Sequence, residues 1–403
     1  VPVTPPAGAR AEKEASPQHS ETASGSISSP SSAPSVNRLG LAHFRNYVSL
    51  NCRFGPHLNI LVGDNGSGKT NILEAISLLG PGRGLRQANF ADLATRDEAT
   101  QWSIAADMRV AAGDVRVRID HAGDGRQVQL DGAEIRGMDH LSDLLPQLWL
   151  TPAMDRLFVD AASGRRRFLD RFTATLLPGI SRAGQAFEKA MRERNRLLSE
   201  PGWHHHSVWL DGLEDTMALN GAMIAAARLQ AIDALAAGLE RLPGDTFPRA
   251  RIGIEGSLES ALRVQAASDV EDQYRSQLSD MRARDAGAGR ALDGPHRSDF
   301  LVYHMAKNMP AADCSTGEQK ALLVGLILAQ ADTVIARTGD IPILLLDEVA
   351  AHLDETRRAA LADILVALGG QVWITGTDRR NFTAFERSTD YFSVAHGAIA
   401  EAS

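Results

Sequence analysis

Eight consecutive residues, Gly63, Asp64, Asn65, Gly66, Ser67, Gly68, Lys69 and Thr70, have types and spacing that bind phosphate. They fit G-x-x-x-x-G-K-[ST], the loop that cradles a nucleoside triphosphate. The glycines let the backbone bend so that successive N–H groups face the phosphates at a helix N-terminus, which already favours anions. Lys69 has the reach for the β- and γ-phosphates, and the Thr70 hydroxyl is a ligand for Mg²⁺. A second group of the same chemistry lies far downstream, where Ile343-Leu344-Leu345-Leu346 ends in Asp347-Glu348. Asp347 is placed to hold the Mg²⁺ shell, and Glu348 to polarise an attacking water as general base.

Both groups need elements that hold them together. Leu58-Asn59-Ile60-Leu61-Val62 reads as a buried strand before the loop, and Asn71 to Ile76 opens an apolar-periodic helix after it. The 343–346 run reads as a buried strand of a parallel sheet. Ligands of open α/β sheets sit at the C-terminal ends of such strands. Ahead of them, Leu41 to Tyr47 and Val48 to Phe54 alternate as strands. Arg45 lies either near the nucleotide or at a solvated strand end. From about 101 to 136, short strands separated by turn signals predict an antiparallel β-layer, and Leu148-Trp149-Leu150 adds another strand.

The 403 residues, 44% of them hydrophobic, suit a globular protein with a sizeable core. A net charge of −8 puts any nucleic-acid contact on local basic patches rather than on the whole surface. Cys52 and Cys314 supply neither a disulfide framework nor a metal cluster, which predicts a reducing, cytoplasmic home. No apolar run approaches the roughly 20 residues that span a bilayer, so no membrane role is expected. Residues 1–37, rich in Pro, Ser and Ala, predict a disordered tail without a secretory apolar core. The chain begins with Val and its first Met is Met108, which suggests an alternative or over-extended start.

After Pro152 the character changes for about 120 residues. Two long helices, 180–199 and 207–241, are divided by Pro201-Gly202 and His204-His205-His206, and predict a helical hairpin. The histidine run reads as a solvated loop, because neighbouring residues lack the i,i+4 geometry of metal ligands. Arg165, Arg166, Arg167 and Arg171 cluster at one helix start, and Lys189, Arg192, Arg194 and Arg196 follow. These are either DNA-phosphate contacts or a solvated face with i,i+4 partners such as Glu188–Arg192.

Cys314-Ser315-Thr316-Gly317-Glu318-Gln319-Lys320, heading a long apolar helix, resembles the signature of ABC-type ATPases. Val349 to Asp354 is similar to their D-loop. That resemblance implies that Ser315 and Gly317 act in trans on the γ-phosphate of a second head. A closer match follows from Phe44-Arg45-Asn46-Tyr47, residues 63–76, RRRFLD at 165–170, Arg194 to Leu198, GPHRSD at 294–299 and STGEQK at 315–320. Together, over about 38–395, they resemble the RecF family of bacterial recombination mediators.

The resemblance implies an α/β fold. A P-loop ABC-type ATPase head, with a parallel core sheet and an antiparallel β-layer, would span 38–162 and 290–403, and an α-helical arm would be inserted at 163–289. It implies ATP and Mg²⁺ as cofactors and an ATP-dependent homodimer with weak, DNA-dependent ATPase activity. Double-stranded DNA at gaps or ss/dsDNA junctions, together with RecR, RecO and the RecA pathway, would be its partners in repair, replication restart and the SOS response.

Two departures stand out. The family's Pro-Glu-Asp-Leu is here Pro152-Ala153-Met154-Asp155, so no Q-loop ligand is assigned. Ile374-Thr375-Gly376-Thr377-Asp378 stands where transporters carry a switch histidine, which suggests slow turnover. An ABC transporter ATPase subunit is the alternative, but the arm, the missing histidine and the missing Q-loop speak against it. An SMC-type organiser would need far longer coiled coils, and a nuclease a second metal cluster.

Overall fold

The computed structural model describes Val1 and residues 33–80, 82–95, 99–123, 125–135, 144–243, 246–385 and 389–401. Strands β1 (Ser35–Phe44) and β2 (Tyr47–Arg53) form a hairpin, and β3 (Leu58–Val62) leads through the glycine loop into α1 (Lys69–Ser77). A meander of β4 (Trp102–Val110), β5 (Gly113–Ala122), β6 (Gly125–Leu130) and β7 (Ala133–Ile135) precedes β8 (Gln147–Leu150). Helices α2 (Ala162–Leu176), α3 (Ile180–Leu198) and α4 (Ser207–Arg241) follow. Then come β9 (Ala250–Glu255), α5 (Ser257–Leu262), α6 (Ala267–Asp280) and α7 (Arg282–Ala288). The remainder is β10 (Asp299–His304), β11 (Met309–Pro310), α8 (Thr316–Thr338), β12 (Ile343–Leu346), α9 (Glu355–Leu368), β13 (Val372–Gly376), β14 (Thr389–Ala395) and β15 (Ala398–Glu401).

The central sheet runs β15-β14-β3-β13-β12-β8, parallel except for β15. Its middle strands have no polar face because both faces are covered, which is why they read as continuous apolar runs. In β12 the alternation serves two cores: Leu344 and Leu346 face the helical side with α8, while Ile343 and Leu345 join α1 and the β-layer. The β-layer, ordered β2-β1-β4-β5-β6-β7, is antiparallel throughout. Its alternating residues, Leu39, Leu41, Ile104 and Ala106 among them, pack on that second core.

Helix α4, 35 residues and so about 52 Å long, serves two cores. Its first half packs with α3 and α6 through Met217, Ala218 and Ala225 against Phe187 and Tyr274. Its second half sends Ala231, Leu235 and Leu239 into the core that contains α8.

Three expectations need correction. Order does not wait for Arg38. Ser35 and Val36 are buried in β1, where Gln371 bonds both the N–H and the C=O of Val36. The rest of the expected tail, residues 2–32, lies outside the described residues. The stretch 163–289, expected as an α-helical arm, also contains β9, which pairs antiparallel with β10. Finally, α4 and α8 are long and apolar enough to cross a membrane by length and composition. Both are mostly buried, because each is apolar on several faces to fill the core between sheet and arm.

Candidate nucleotide site

The loop 63–70 sits at the C-terminal end of β3, and its shape depends on close neighbours. A Cβ on Gly63 would lie 2.1 Å from the Val394 carbonyl oxygen. Gly68 has φ 116°, and a Cβ there would lie 2.6 Å from both Asn46 Nδ2 and Tyr47 Oη. Glycine is required at both positions. Those neighbours also hold the loop: Asn46 Nδ2 donates to Ser67 O at 3.0 Å, and Tyr47 Oη donates to Gly68 O at 3.1 Å. The turn that aims them is made by Arg45 at φ 56°, whose guanidinium bonds both oxygens of the buried Glu74 on α1 at 2.7 and 2.8 Å. Arg45 therefore braces the loop from behind, and its solvated reading is set aside.

Asp64, Asn65 and Gly66 are exposed at the loop's crest, and Ser67, Gly68 and Lys69 are buried beneath it. Lys69 Nζ donates to Gly63 O at 2.7 Å and to Asp64 O at 2.9 Å. Burial lowers its pKa, against the raising effect of Glu348, Asp347 and Asp64 nearby. No side chain caps the first turn of α1, whose Asn71 N–H bonds the Gly68 carbonyl at 3.0 Å, and a helix N-terminus favours an anion.

Across the sheet, Asp347 meets the loop. Thr70 Oγ1 lies 3.0 and 2.9 Å from the two Asp347 oxygens. Thr375, at the end of β13, donates to Asp347 Oδ1 at 2.6 Å and accepts the Glu348 N–H at 2.9 Å. Glu348 itself is half-buried at φ 54°, a left-handed conformation that turns the chain out of β12. A hydroxyl and a carboxylate side by side form the hard oxygen pair that Mg²⁺ takes together with phosphate oxygens and water. Ser67 Oγ is buried without a protein partner, as suits a donor meant for a phosphate oxygen. The loop residues fit both groups.

Thus the structure brings Gly63 to Thr70, Asp347 and Glu348 together. Ser315 and Gly317 stand apart: no hydrogen bond or ion pair among the described residues joins them to the loop. Ser315 is the N-cap of α8 in a capping box with Glu318, and Ser315, Thr316 and Gly317 are exposed. Lys320 of the same helix pairs at 3.2 Å with Asp155, the acid in the segment that departs from the family pattern.

The basic patches divide. Arg194 is fully buried, paired with Glu214 at 2.8 Å and Asp285 at 2.7 Å, so it is no DNA contact. Arg165 pairs with Asp299, which brings RRRFLD against GPHRSD, and Arg171 lies 4.4 Å over the Trp149 ring. Arg196 is exposed but pairs with Glu193 and Glu200. Arg167, Lys189 and Arg192 are exposed on their helices. Trp203–His206 forms a 3₁₀ turn, with His206 Nε2 3.4 Å from Glu200 Oε2.

Sequence reasoning missed Asn46, Tyr47 and Thr375 as supports of the site. Asn46 and Tyr47 stood inside a recognised motif, whereas Thr375 carried no signal beyond its place after an apolar strand.

Residues 35–400 match the family model described as the RecF/RecN/SMC N terminal domain. The chain is 50% identical over 372 residues to the DNA replication and repair protein RecF of Agrobacterium fabrum, covering 91% of this chain and 98% of that one. It is 49% identical over 370 residues to RecF of Brucella suis, covering 91% and 96%. The chain belongs to the RecF family. A solved structure of the recombination mediator protein RecF with ATPrS, of the RecFOR pathway, matches with a TM-score of 0.80 at 22% identity, covering 93% of this chain and all of that one. An Smc head domain from Pyrococcus furiosus matches at 0.52 and 17% identity, covering 92% and 96%. These likenesses place the chain in the fold shared by RecF and Smc head domains.

Proposed function

We propose that this chain is an ATP-gated recombination mediator. It dimerises on ATP, binds double-stranded DNA near gaps or ss/dsDNA junctions, and acts in the cytoplasm with RecO and RecR to promote RecA loading on single-stranded DNA. Hydrolysis is weak, depends on DNA and serves as a release switch. The head comprises 35–162 and 290–403, and 163–289 is the arm.

One juxtaposition carries this reading. Thr70, Asp347, Thr375 and Glu348 are linked by hydrogen bonds at the loop, while Ser315 and Gly317 face solvent at a separate helix start. A site assembled from two heads needs that separation, since each head offers half.

In this reading the loop N–H groups and Ser67 Oγ bind the phosphates, and Lys69 shifts from the Gly63 and Asp64 carbonyls to the γ-phosphate. Thr70 and Asp347 would hold Mg²⁺, which neutralises charge on the β- and γ-phosphates when bound. Thr375 holds Asp347 in place and fixes the Glu348 backbone, and Glu348 accepts a proton from the attacking water. Ser315 and the Gly317 N–H of the opposite head stabilise charge developing on the γ-phosphate.

Sedimentation with and without ATP and Mg²⁺, in the presence and absence of duplex DNA, tests the reading. The expected result is a monomer that becomes a dimer only with ATP, and a Ser315→Arg variant that binds ATP yet stays monomeric. A wild-type chain that remains monomeric with ATP on DNA contradicts it.

A further inference from the structure

The signature helix carries a difficulty that its motif does not announce. Ser315 Oγ donates to Glu318 Oε2 at 2.9 Å, and the Ser315 N–H donates to the same oxygen at 3.1 Å. The hydroxyl proton that a γ-phosphate would take is thus directed at the chain's own carboxylate. A full negative charge also stands beside the place where an anion must arrive.

The second carboxylate oxygen, Glu318 Oε1, lies 2.5 Å from Lys307 Nζ. Lys307 projects from the turn between β10 and β11, outside every motif read from the sequence. That turn is well held. Asn308 takes φ 47°, its N–H donates to Met305 O at 3.2 Å, and its Oδ1 accepts from Arg251 at 3.2 Å. The Lys307 bond, followed by the two Ser315 donors, keeps the Glu318 carboxyl down at about 2. Half of the Lys307 side chain remains exposed, and a Cβ on Gly317 would meet nothing within 4 Å.

We infer that Lys307 is a positioning residue of the in-trans phosphate site, holding and neutralising Glu318 so that Ser315 can turn its hydroxyl to a phosphate oxygen presented by the opposite head. The inference rests on the proposed role of the signature in trans and adds a residue to it. Lys307 keeps the carboxylate on its far oxygen while the Ser315 hydroxyl leaves the near one, and the Ser315 N–H continues to cap the helix. An exposed ion pair contributes little to folding. Lys307 therefore matters to the incoming phosphate and hardly at all to stability.

The test compares wild type, Lys307→Ala, Lys307→Arg and the double variant Lys307→Ala/Glu318→Gln. Two quantities are measured: ATP affinity of the dilute monomer, and the ATP-dependent dimerisation constant from sedimentation equilibrium. Glutamine at that position keeps the capping box without the charge. Lys307→Ala should leave ATP affinity and thermal midpoint unchanged. Its dimerisation should weaken about tenfold per site, and so about a hundredfold for two sites closing together. Lys307→Arg should stay near wild type, and the double variant should recover most of the loss.

A Lys307→Ala chain that dimerises as well as a dimerising wild type overturns the inference alone, as does a double variant no better than the single one. A wild type that never dimerises on ATP overturns the signature reading, and this inference with it.

Discussion

Thr375 ties the two acids of the site together. Its hydroxyl donates a hydrogen bond to Asp347 and accepts one from the Glu348 N–H, while Thr70 touches Asp347 from the loop side. A Thr375→Val substitution keeps the shape and removes both bonds, leaving the Glu348 N–H unmatched and the Asp347 carboxylate held by Thr70 alone, at about 1–3 kcal/mol. Its expected effect is a hydrolysis rate at least about tenfold lower, with ATP affinity changed little. Single-turnover hydrolysis and ATP titration separate these quantities, and an unchanged rate would remove Thr375 from the account. The residue was invisible as a motif because a threonine ending an apolar strand has no distinguishing spacing. Lys69, Thr70, Asp347 and Glu348 were legible because phosphate and Mg²⁺ chemistry restricts both their types and their order along the chain.

At the scale of elements, a charged residue can belong to the interior as readily as to a surface. Arg194 read as part of a basic helix face, yet it lies under α4 and α7 bonded to Glu214, Asp285 and the Leu278 carbonyl. Replacing it with methionine strands buried carboxylates and should cost about 3–5 kcal/mol of stability. Thermal or denaturant unfolding checks this. A variant as stable as wild type but defective only in duplex binding would return Arg194 to the surface role.

The long helices were legible from apolar spacing to within a residue or two, and so was the strand–loop–helix around 58–77. Strand β9 was not, because Arg251, Ile252 and Ile254 gain their partners only from β10, some 50 residues away in sequence. The same holds for Ser35 and Val36, whose order depends on Gln371 from the other end of the chain. Local pattern also failed at the Arg45 turn. Its left-handed backbone is maintained by Glu74, which the sequence separates from it by two strands, a loop and the first half of a helix.

At the scale of the whole molecule, the proposed shared site depends on one separation. The phosphate loop and its acids form one surface and the signature another. The most direct test mixes two inactive variants, Lys69→Arg and Ser315→Arg, and measures DNA-stimulated ATP hydrolysis. A mixed dimer pairs the intact loop of one chain with the intact signature of the other. One of its two sites is then whole, and the other carries both substitutions. Ser315→Arg chains do not pair with each other, so each acts only in a mixed dimer closed through its one whole site. DNA-stimulated hydrolysis is therefore expected from the mixture of two variants that are each inactive alone. A mixture as inactive as its components, under conditions where wild type dimerises, would contradict a site shared between two heads.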